Sequence, residues 1–366
     1  MQKIGFIMEQ ILGHKTHAMN LQEVACSLEN VMPNFAPVPL TASVWMKVPY
    51  VKNDLMTRIG IEGRRELVRL RKQTDVNFLH TQNVAIFSSD LMNQTPAIVS
   101  LDATPSQWFE LNQPYFKVPE KISWRERAKM GVLKTTRLKH KLLEKSLCSA
   151  SLLVTWSEWA KEGVVRDFKI SPERIYVIPP GVSTALFKPG PHKKYLDVVK
   201  VLFVGGDFVR KGGDLLLEWA RTTSASNWEL HLVTKEPLQN LPANIFVYNN
   251  ISNNSDELLK LYQESDLFVL PTNADCLPLV SLEATASGLP IVASRIAAIP
   301  EVVSEGVNGI LIKPGSLTEL TGALDSLIAD HTTRTKMGEN AREIAMSRFS
   351  LNKTYGGLVD LVRSVA

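Results

Sequence analysis

The sequence of 366 residues has little cysteine and no long apolar run. Its three cysteines, Cys26, Cys148 and Cys276, are far apart, which excludes a paired metal spacing and an even disulfide framework. No apolar run approaches the roughly 18 residues of a spanning helix, and the first one stops at Glu9, too short for a signal segment. We therefore expect a protein of a reducing, cytoplasmic compartment.

Common nucleotide-binding signatures are missing as well. The sequence has neither a Walker loop nor a Gly-x-Gly-x-x-Gly run, which makes a nicotinamide cofactor a weak interpretation. The formal net charge of +4 is mild. It does not indicate nucleic acid, but it suits an anionic ligand or surface.

What is present is an alternation of short apolar strands and helices, which is typical of parallel, doubly wound sheets. The pattern runs from "KIGFIM" to "RIYVIPPGV" and restarts at "VKVLFVGG" after a polar connector at 189–197. The chain is also longer than a single core usually allows. We predict two α/β domains, at 1–185 and 195–345, followed by a helical segment at 346–366.

Polar or glycine residues stand where the predicted strands end. His80 ends "DVNFLH", Asp102 ends "PAIVSLD", the Gly205–Gly206 pair ends "VLFVGG", and Asp275 follows "DLFVLPT". In open α/β sheets, ligands bind at the carboxyl ends of the strands. These residues are therefore candidates for a binding site.

The stretch "FVGGDFVRKGG" predicts a site for an anion. Gly205 and Gly206 allow a ligand to approach the backbone closely, and Arg210 and Lys211 precede a helix start, where N–H groups favour anions. Adjacent cations at that point suit a pyrophosphate. The alternative is a solvated Arg-Lys pair in a loop.

The stretch "NADCLPLVSLEATASGLPIVAS" carries two carboxylates, Asp275 and Glu283. A helix over 279–286 would place the N–H groups of Leu279 and Val280 at its anion-binding start and Glu283 one turn further. One carboxylate then accepts from a ribose diol and the other from sugar hydroxyls. The alternative is a structural acid and a turn residue.

In this order, "FVGGDFVRKGG", "DCLPLVSLEATASGLPIVAS" and "IPEVV" resemble the motifs of the retaining glycosyltransferases of family 4. The resemblance implies the GT-B fold, two Rossmann-like domains facing a central cleft. It also implies that the first domain, 1–185, lies on the acceptor side, that the second, 195–345, binds the nucleotide sugar, and that the helix at 346–366 returns to the first domain. It implies that Arg210 and Lys211 bind the donor diphosphate and that Glu283 binds the ribose. Asp275 stands at the first Glu position of the family's Glu-x7-Glu motif, which contacts the donor sugar.

The first half departs further from the family. The usual Gly-Gly loop is reduced to Leu12–Gly13, and His80 is the last residue kept from an Asp-x-x-His-x-His segment. The resemblance implies that Gly13 and His80 lie close to the transferred sugar. His14 and His17 are further candidates on the acceptor side, although a lone histidine is more often structural. After "WELHLVT", the family's Gly-x-Gly is replaced by "KEPLQ".

The resemblance implies transfer of a hexose from a UDP- or GDP-linked donor to a glycan, a lipid or another hydroxyl acceptor, with retention and without a metal or another cofactor. The sequence has no Asp-x-Asp pair to hold a metal ion. Two alternatives stay open: a sugar-nucleotide epimerase of the same fold, and a nucleotide-sugar-binding protein with weakened catalysis.

A basic segment at 124–147 repeats apolar residues at near-helical spacing. Such a helix can lie on an anionic membrane, which would put the protein at the inner membrane face. The alternative is a solvated helix face packed on its own domain.

Overall fold

The computed structural model describes residues 1–11, 13–39, 54–112, 132–190 and 198–366. Leu12 of the predicted glycine loop, residues 191–197 of the connector and residues 124–131 of the basic segment lie outside the described residues. The chain divides into two compact units. The first unit consists of Met1–Pro180 and Thr354–Ala366, and the second consists of Gly181–Lys353.

The first unit contains a parallel six-stranded sheet with the order β2-β1-β3-β4-β5-β6. Its strands are β1 (Gln2–Glu9), β2 (Val31–Val38), β3 (Val76–His80), β4 (Ala97–Leu101), β5 (Leu152–Thr155) and β6 (Ile175–Val177). Its helices are α1 (Gly13–Ser27), α2 (Leu55–Leu70), α3 (Gln82–Ala85), α4 (Ser89–Met92), α5 (Pro105–Asn112), α6 (Val132–Ser149) and α7 (Glu158–Phe168), with a 3-10 turn at Pro172–Arg174.

The second unit contains a parallel six-stranded sheet with the order β12-β11-β10-β7-β8-β9. Its strands are β7 (Val199–Val204), β8 (Trp228–Val233), β9 (Ile245–Tyr248), β10 (Leu267–Leu270), β11 (Ile291–Ser294) and β12 (Gly309–Ile312). Its helices are α8 (Gly213–Thr222), α9 (Asp256–Glu264), α10 (Leu279–Ala286), α11 (Ile299–Val302), α12 (Leu317–Ala329) and α13 (His331–Ile344), and a π-helical turn spans Ala345–Phe349.

The central strands are buried on both faces. Every residue of β3, β4 and β10 is buried, as the continuous apolar runs of a parallel sheet covered by helices require. By contrast, β2 lies at the sheet edge and contains Pro33 and Pro37. Proline lacks an N–H to donate to a second neighbour, so it is tolerated at an edge.

The last helix, α14 (Leu351–Arg363), carries the chain back to the first unit. Its residues Tyr355, Leu358, Val359 and Val362 are buried along one face. Near its end, the Arg363 carbonyl accepts from the Gln2 side-chain amide at 3.2 Å. This helix therefore packs beside the start of β1.

Candidate active site

The first part of the candidate site in the second unit is the loop after β7. The Gly205 N–H donates to the Val233 carbonyl at 2.9 Å, which joins the ends of β7 and β8. A Cβ on Gly205 would lie 2.7 Å from the Phe203 ring, so the position has no room for a side chain. A Cβ on Gly206 would meet nothing closer than Lys235, at 3.7 Å. Glycine is thus required for space at Gly205 and not at Gly206.

The loop that carries Arg210 and Lys211 is bonded to the loop after β10. The Arg210 carbonyl accepts from the Asn273 N–H at 2.9 Å, and the Arg210 guanidinium donates to Asp207 at 2.8 Å. Lys211 forms an ion pair with Asp275, in which the two side chains are 14% and 16% exposed. Because β7 and β10 are neighbours in the sheet, both predicted cations and the predicted acid come together at its carboxyl end.

The turn between this loop and α8 depends on Gly212. Its φ is +80°, in the left-handed region that favours glycine. A Cβ there would also lie 2.1 Å from the Pro271 carbonyl oxygen. The cation-bearing loop is therefore fixed closely against the loop after β10.

Glu283 lies one turn inside α10 and is buried. The Tyr262 hydroxyl donates to its Oε2 at 2.9 Å. Burial raises the pKa of Glu283 to about 7, and the hydrogen bond from Tyr262 opposes that rise. Leu279 and Val280 occupy the first turn of α10, whose N-cap residue, Pro278, makes no side-chain hydrogen bond to the helix. The helix start therefore offers N–H groups close to a carboxylate that is costly to ionise.

In the first unit, three strand ends carry polar side chains on neighbouring strands. Glu9 ends β1, His80 ends β3, and Asp102 directly follows β4. Gly13 opens α1, which follows β1. The same helix carries His14, whose Nε2 lies 4.0 Å from Asp102 Oδ2. The candidate residues of this unit thus cluster at the carboxyl end of its sheet.

Three histidines of this unit, His14, His17 and His80, form one cluster of rings in contact. His14 Nδ1 and His80 Nε2 are hydrogen-bonded at 2.8 Å. The Trp156 ring stacks on His80 with centroids 5.3 Å apart. His17 lies 4.5 Å from His80 between ring centroids, and its Nδ1 is hydrogen-bonded to the Tyr355 hydroxyl at 2.9 Å. The cluster therefore connects the end of β3 with the last helix.

Burial keeps the central rings of this cluster uncharged. It lowers the pKa of His17 to about 3 and that of His80 well below its ordinary value, with the neighbouring histidines adding to both effects. Burial also raises the pKa of Glu9, which accepts from the Thr81 hydroxyl. Within the described chain, His80 Nδ1 and His17 Nε2 are buried without a hydrogen-bond partner. His80 therefore acts as a neutral hydrogen-bonding group.

Sequence reasoning did not single out several residues of these clusters. Glu9 ends β1 and Trp156 follows β5, so the strand-end criterion applied to every strand would have found both. Tyr262 and Tyr355 lie on helices distant in sequence from their partners, Glu283 and His17, and carry no local signal.

The described part of the chain offers neither a cluster of metal ligands nor a helix that could span a membrane. No group of three or more histidine, cysteine, aspartate or glutamate side chains there could hold a metal ion. Over the same residues, none of the helices combines the length and apolar character needed to cross a membrane. The described part of the basic segment forms α6, on which Arg137, Leu138, Lys141 and Lys145 are exposed.

The second unit is similar to known sequences. Residues 187–344 match the family described as glycosyl transferases group 1. An MMP alpha-(1->4)-mannosyltransferase of Mycolicibacterium hassiacum is 33% identical over 208 residues, which are 54% of this chain and 50% of that protein. A D-inositol 3-phosphate glycosyltransferase of Acidothermus cellulolyticus is 29% identical over 57% of this chain and 52% of its own length. The chain spans about half the length of the curated relatives it matches.

Solved structures extend the likeness to the whole chain. A sucrose-phosphate synthase from Thermosynechococcus elongatus has a TM-score of 0.78 at 16% identity, covering 100% of this chain and 99% of its own. Anabaena Alr3699/HepE in complex with UDP-glucose has a TM-score of 0.71 at 16% identity, covering 100% of both chains. The fold is therefore GT-B, which confirms the predicted fold class. The match of residues 187–344 confirms the resemblance stated from the motifs.

Proposed function

Because residues 187–344 belong to the group 1 glycosyl transferases and the chain has the GT-B fold, we propose that the protein moves a sugar from a nucleoside-diphosphate sugar to a hydroxyl group of a glycan or lipid-linked acceptor. The main support for this proposal is the hydrogen bonding between the loop after β7 and the loop after β10. These loops bring Arg210, Lys211 and Asp275 together inside the matched segment.

The second unit binds the donor. The Lys211 ammonium has three donors, and its pairing with Asp275 leaves others for the diphosphate. Gly205 and Gly206 let the phosphates approach the backbone, and the N–H groups of Leu279 and Val280 add the positive end of α10. The nucleoside lies beside the buried carboxylate one turn along that helix.

Glu283 accepts hydrogen bonds from the ribose diol, and Asp275 accepts from hydroxyls of the donor sugar. Diol hydroxyls that donate to Glu283 favour its charged form, which burial alone disfavours. Among the described residues, only the Tyr262 hydroxyl donates a side-chain hydrogen bond to the Glu283 carboxyl. Ligand binding therefore supplies it with further donors. Since Anabaena Alr3699/HepE was solved with UDP-glucose, this nucleotide sugar is the first donor to test.

Transfer breaks the bond between the anomeric carbon and the diphosphate oxygen. Negative charge grows on the departing diphosphate, and Arg210 and Lys211 favour the transition state because they are held in place before charge develops. Loss of one such contact costs about 3 kcal/mol, or roughly a hundredfold in rate. Arg210 and Lys211 thus supply the positive charge that a metal ion would supply to the departing diphosphate. The acceptor hydroxyl oxygen forms the new bond to the anomeric carbon on the face from which the diphosphate departs, so the configuration is retained. The departing phosphate takes the hydroxyl proton, so no protein base is obligatory.

In the first unit, we assign Gly13 and His80 to contacts with the transferred sugar. His80 is uncharged because it is buried, and its Nε2 is bonded to His14, so a sugar hydroxyl would reach the Nδ1 of a neutral imidazole, unpartnered in the described chain, once the ring is uncovered. His14 fixes its ring through the 2.8 Å hydrogen bond, and Trp156 supports its face. Removal of the His80 ring should therefore reduce turnover more than nucleotide binding.

A peripheral membrane contact is a further part of the proposal. On α6, Arg137, Lys141 and Lys145 are exposed at intervals of four, beside Leu138 at 58% exposure. A basic face with an exposed apolar side chain suits an anionic bilayer surface. Co-sedimentation with phosphatidylglycerol vesicles tests it, and binding that survives Arg137→Glu, Lys141→Glu and Lys145→Glu together would contradict it.

The transferase itself is tested in two steps. A thermal-shift screen of UDP- and GDP-sugars identifies a donor, because a ligand that binds the native state raises the melting temperature. That donor is then incubated with a glycan or lipid extract. Release of nucleoside diphosphate that depends on the acceptor supports the proposal. Isomerised donor without an acceptor would indicate the epimerase, and binding without turnover would indicate a weakened binding protein.

A further inference from the structure

A third cation, Lys235, lies across the glycine pair after β7. Its methylene stem covers Gly206: a Cβ on that glycine would be 3.7 Å from both Cδ and Cε of the lysine. Lys235 belongs to the loop after β8, the next strand of the sheet, and is exposed. Its stem therefore crosses the backbone to which the donor diphosphate is assigned.

The loop that carries Lys235 is held from both sides by one side chain. The Asn249 amide donates to the Thr234 carbonyl at 2.9 Å and to the Glu236 carbonyl at 3.0 Å. The Thr234 N–H donates to the Tyr248 carbonyl at 3.2 Å. These bonds fix the backbone on each side of Lys235, which limits the entropy lost when its ammonium binds a ligand.

The charges around the glycine pair also single out Lys235. Lys211 is paired with Asp275, and Arg210 is paired with Asp207. Within the described residues, no carboxylate forms an ion pair with Lys235. The two cations predicted from the motif are thus each paired with a carboxylate, whereas Lys235 is not paired with any carboxylate of the described chain. A diphosphate approaching the glycine pair meets a net positive field because of this residue.

We propose that Lys235 is a donor-binding residue that contacts the diphosphate and sets part of the affinity of this protein for nucleoside diphosphates. Lys235 is the first residue of "KEPLQ", which replaces the Gly-x-Gly of the family that this sequence resembles. A lysine at this position is therefore a departure from the family's pattern. The inference rests on the proposed function, because it presumes that the glycine pair receives a diphosphate. It adds a third loop to the binding site.

The test compares UDP with UMP, or GDP with GMP if UDP does not bind, by calorimetry and competition. Lys235→Gln should weaken diphosphate binding about tenfold, as expected for the loss of one charge-assisted contact. Binding of the monophosphate should weaken less, and the difference should shrink at high salt because an exposed charge is screened. Lys235→Arg should retain most of the affinity.

Lys200→Gln is the matched control. Lys200 lies near the opposite end of β7, paired with Glu264 at 3.6 Å, and its removal changes the net charge by the same amount. It should leave both affinities unchanged. Equal losses for diphosphate and monophosphate in Lys235→Gln, or no loss for either, would overturn the role of Lys235 alone. A wild-type protein that binds neither UDP nor GDP would overturn the proposed function together with this inference.

Discussion

The buried carboxyl of Glu283 should make the second unit less stable as the pH rises. In the unfolded chain this group loses its proton near its ordinary pKa of 4.5, whereas in the folded protein burial holds the pKa at about 7. Between these values the folded state binds more protons than the unfolded state, so the free energy of unfolding falls with rising pH. Since each pH unit contributes about 1.4 kcal/mol, the decline is about 3 kcal/mol, and it is complete above pH 7.

Glu283→Gln should remove this decline. The glutamine oxygen can still accept from the Tyr262 hydroxyl, but the side chain no longer titrates. Relative to wild type, the variant should therefore gain about 2.5 kcal/mol of stability between pH 5 and pH 8, whatever its stability at pH 5. Hydrogen exchange of the β10 amides, corrected for the intrinsic pH dependence of exchange, reports the opening of this unit alone.

Glu218→Gln serves as the control, because it makes the same chemical change at an exposed position of α8 in the same unit. Its opening free energy should follow that of wild type across the pH range. If the Glu283→Gln profile also runs parallel to wild type, Glu283 does not hold its proton in the folded state. The reasoning from burial would then be refuted.

Other changes test the remaining clusters. Lys211→Met leaves Asp275 without its cation and should cost on the order of 2 kcal/mol of stability. Adding Asp275→Asn should restore the melting temperature but not turnover, and recovered turnover would show that Lys211 does not act on the donor diphosphate. Asp275→Asn alone should weaken binding of UDP-glucose and spare UDP, whereas Glu283→Gln should weaken both; calorimetry that finds equal losses in both variants would rule out this division. Tyr355→Phe should cost about 1–3 kcal/mol in urea unfolding, because His17 Nδ1 stays buried without that partner; a difference within experimental error would contradict the hydrogen bond. Since the pKa of His17 is lowered from 6.5 to about 3, the unfolded chain binds more protons over that range, so the first unit should lose stability as the pH falls below 6.5; a flat exchange profile for β3 between pH 6.5 and pH 4.5 would argue against it.

The sequence predicted the fold class well because the information is local. Strands such as β3 and β10 are continuous apolar runs, and such runs are required where helices cover both faces of a parallel sheet. The helix predicted over 279–286 is observed over the same residues. The edge strand β2 was overlooked, because Pro33 and Pro37 argue against a strand unless its place at the edge is known.

The candidate site was harder to predict because its contacts join residues far apart in sequence. Arg210, Lys211 and Asp275 could be named from motifs, but their mutual pairing depends on β7 and β10 being neighbours. The Tyr262–Glu283 and His17–Tyr355 bonds depend on how helices pack, which no local pattern encodes. The assignment of donor and acceptor roles to the two units stays a prediction.

The path of α14 has a consequence for how the protein is made. The first unit consists of residues that precede and residues that follow the second unit in the chain. The second unit is therefore an insertion in the first. On the ribosome, Gly181–Lys353 is complete before Tyr355 is synthesised, and only then does the His17 ring obtain its hydroxyl partner. Domains usually mature in the order of the chain. Here the second unit can finish folding before the first. Until α14 is synthesised, the first unit exposes the apolar surface that α14 later covers, and that surface is prone to aggregation.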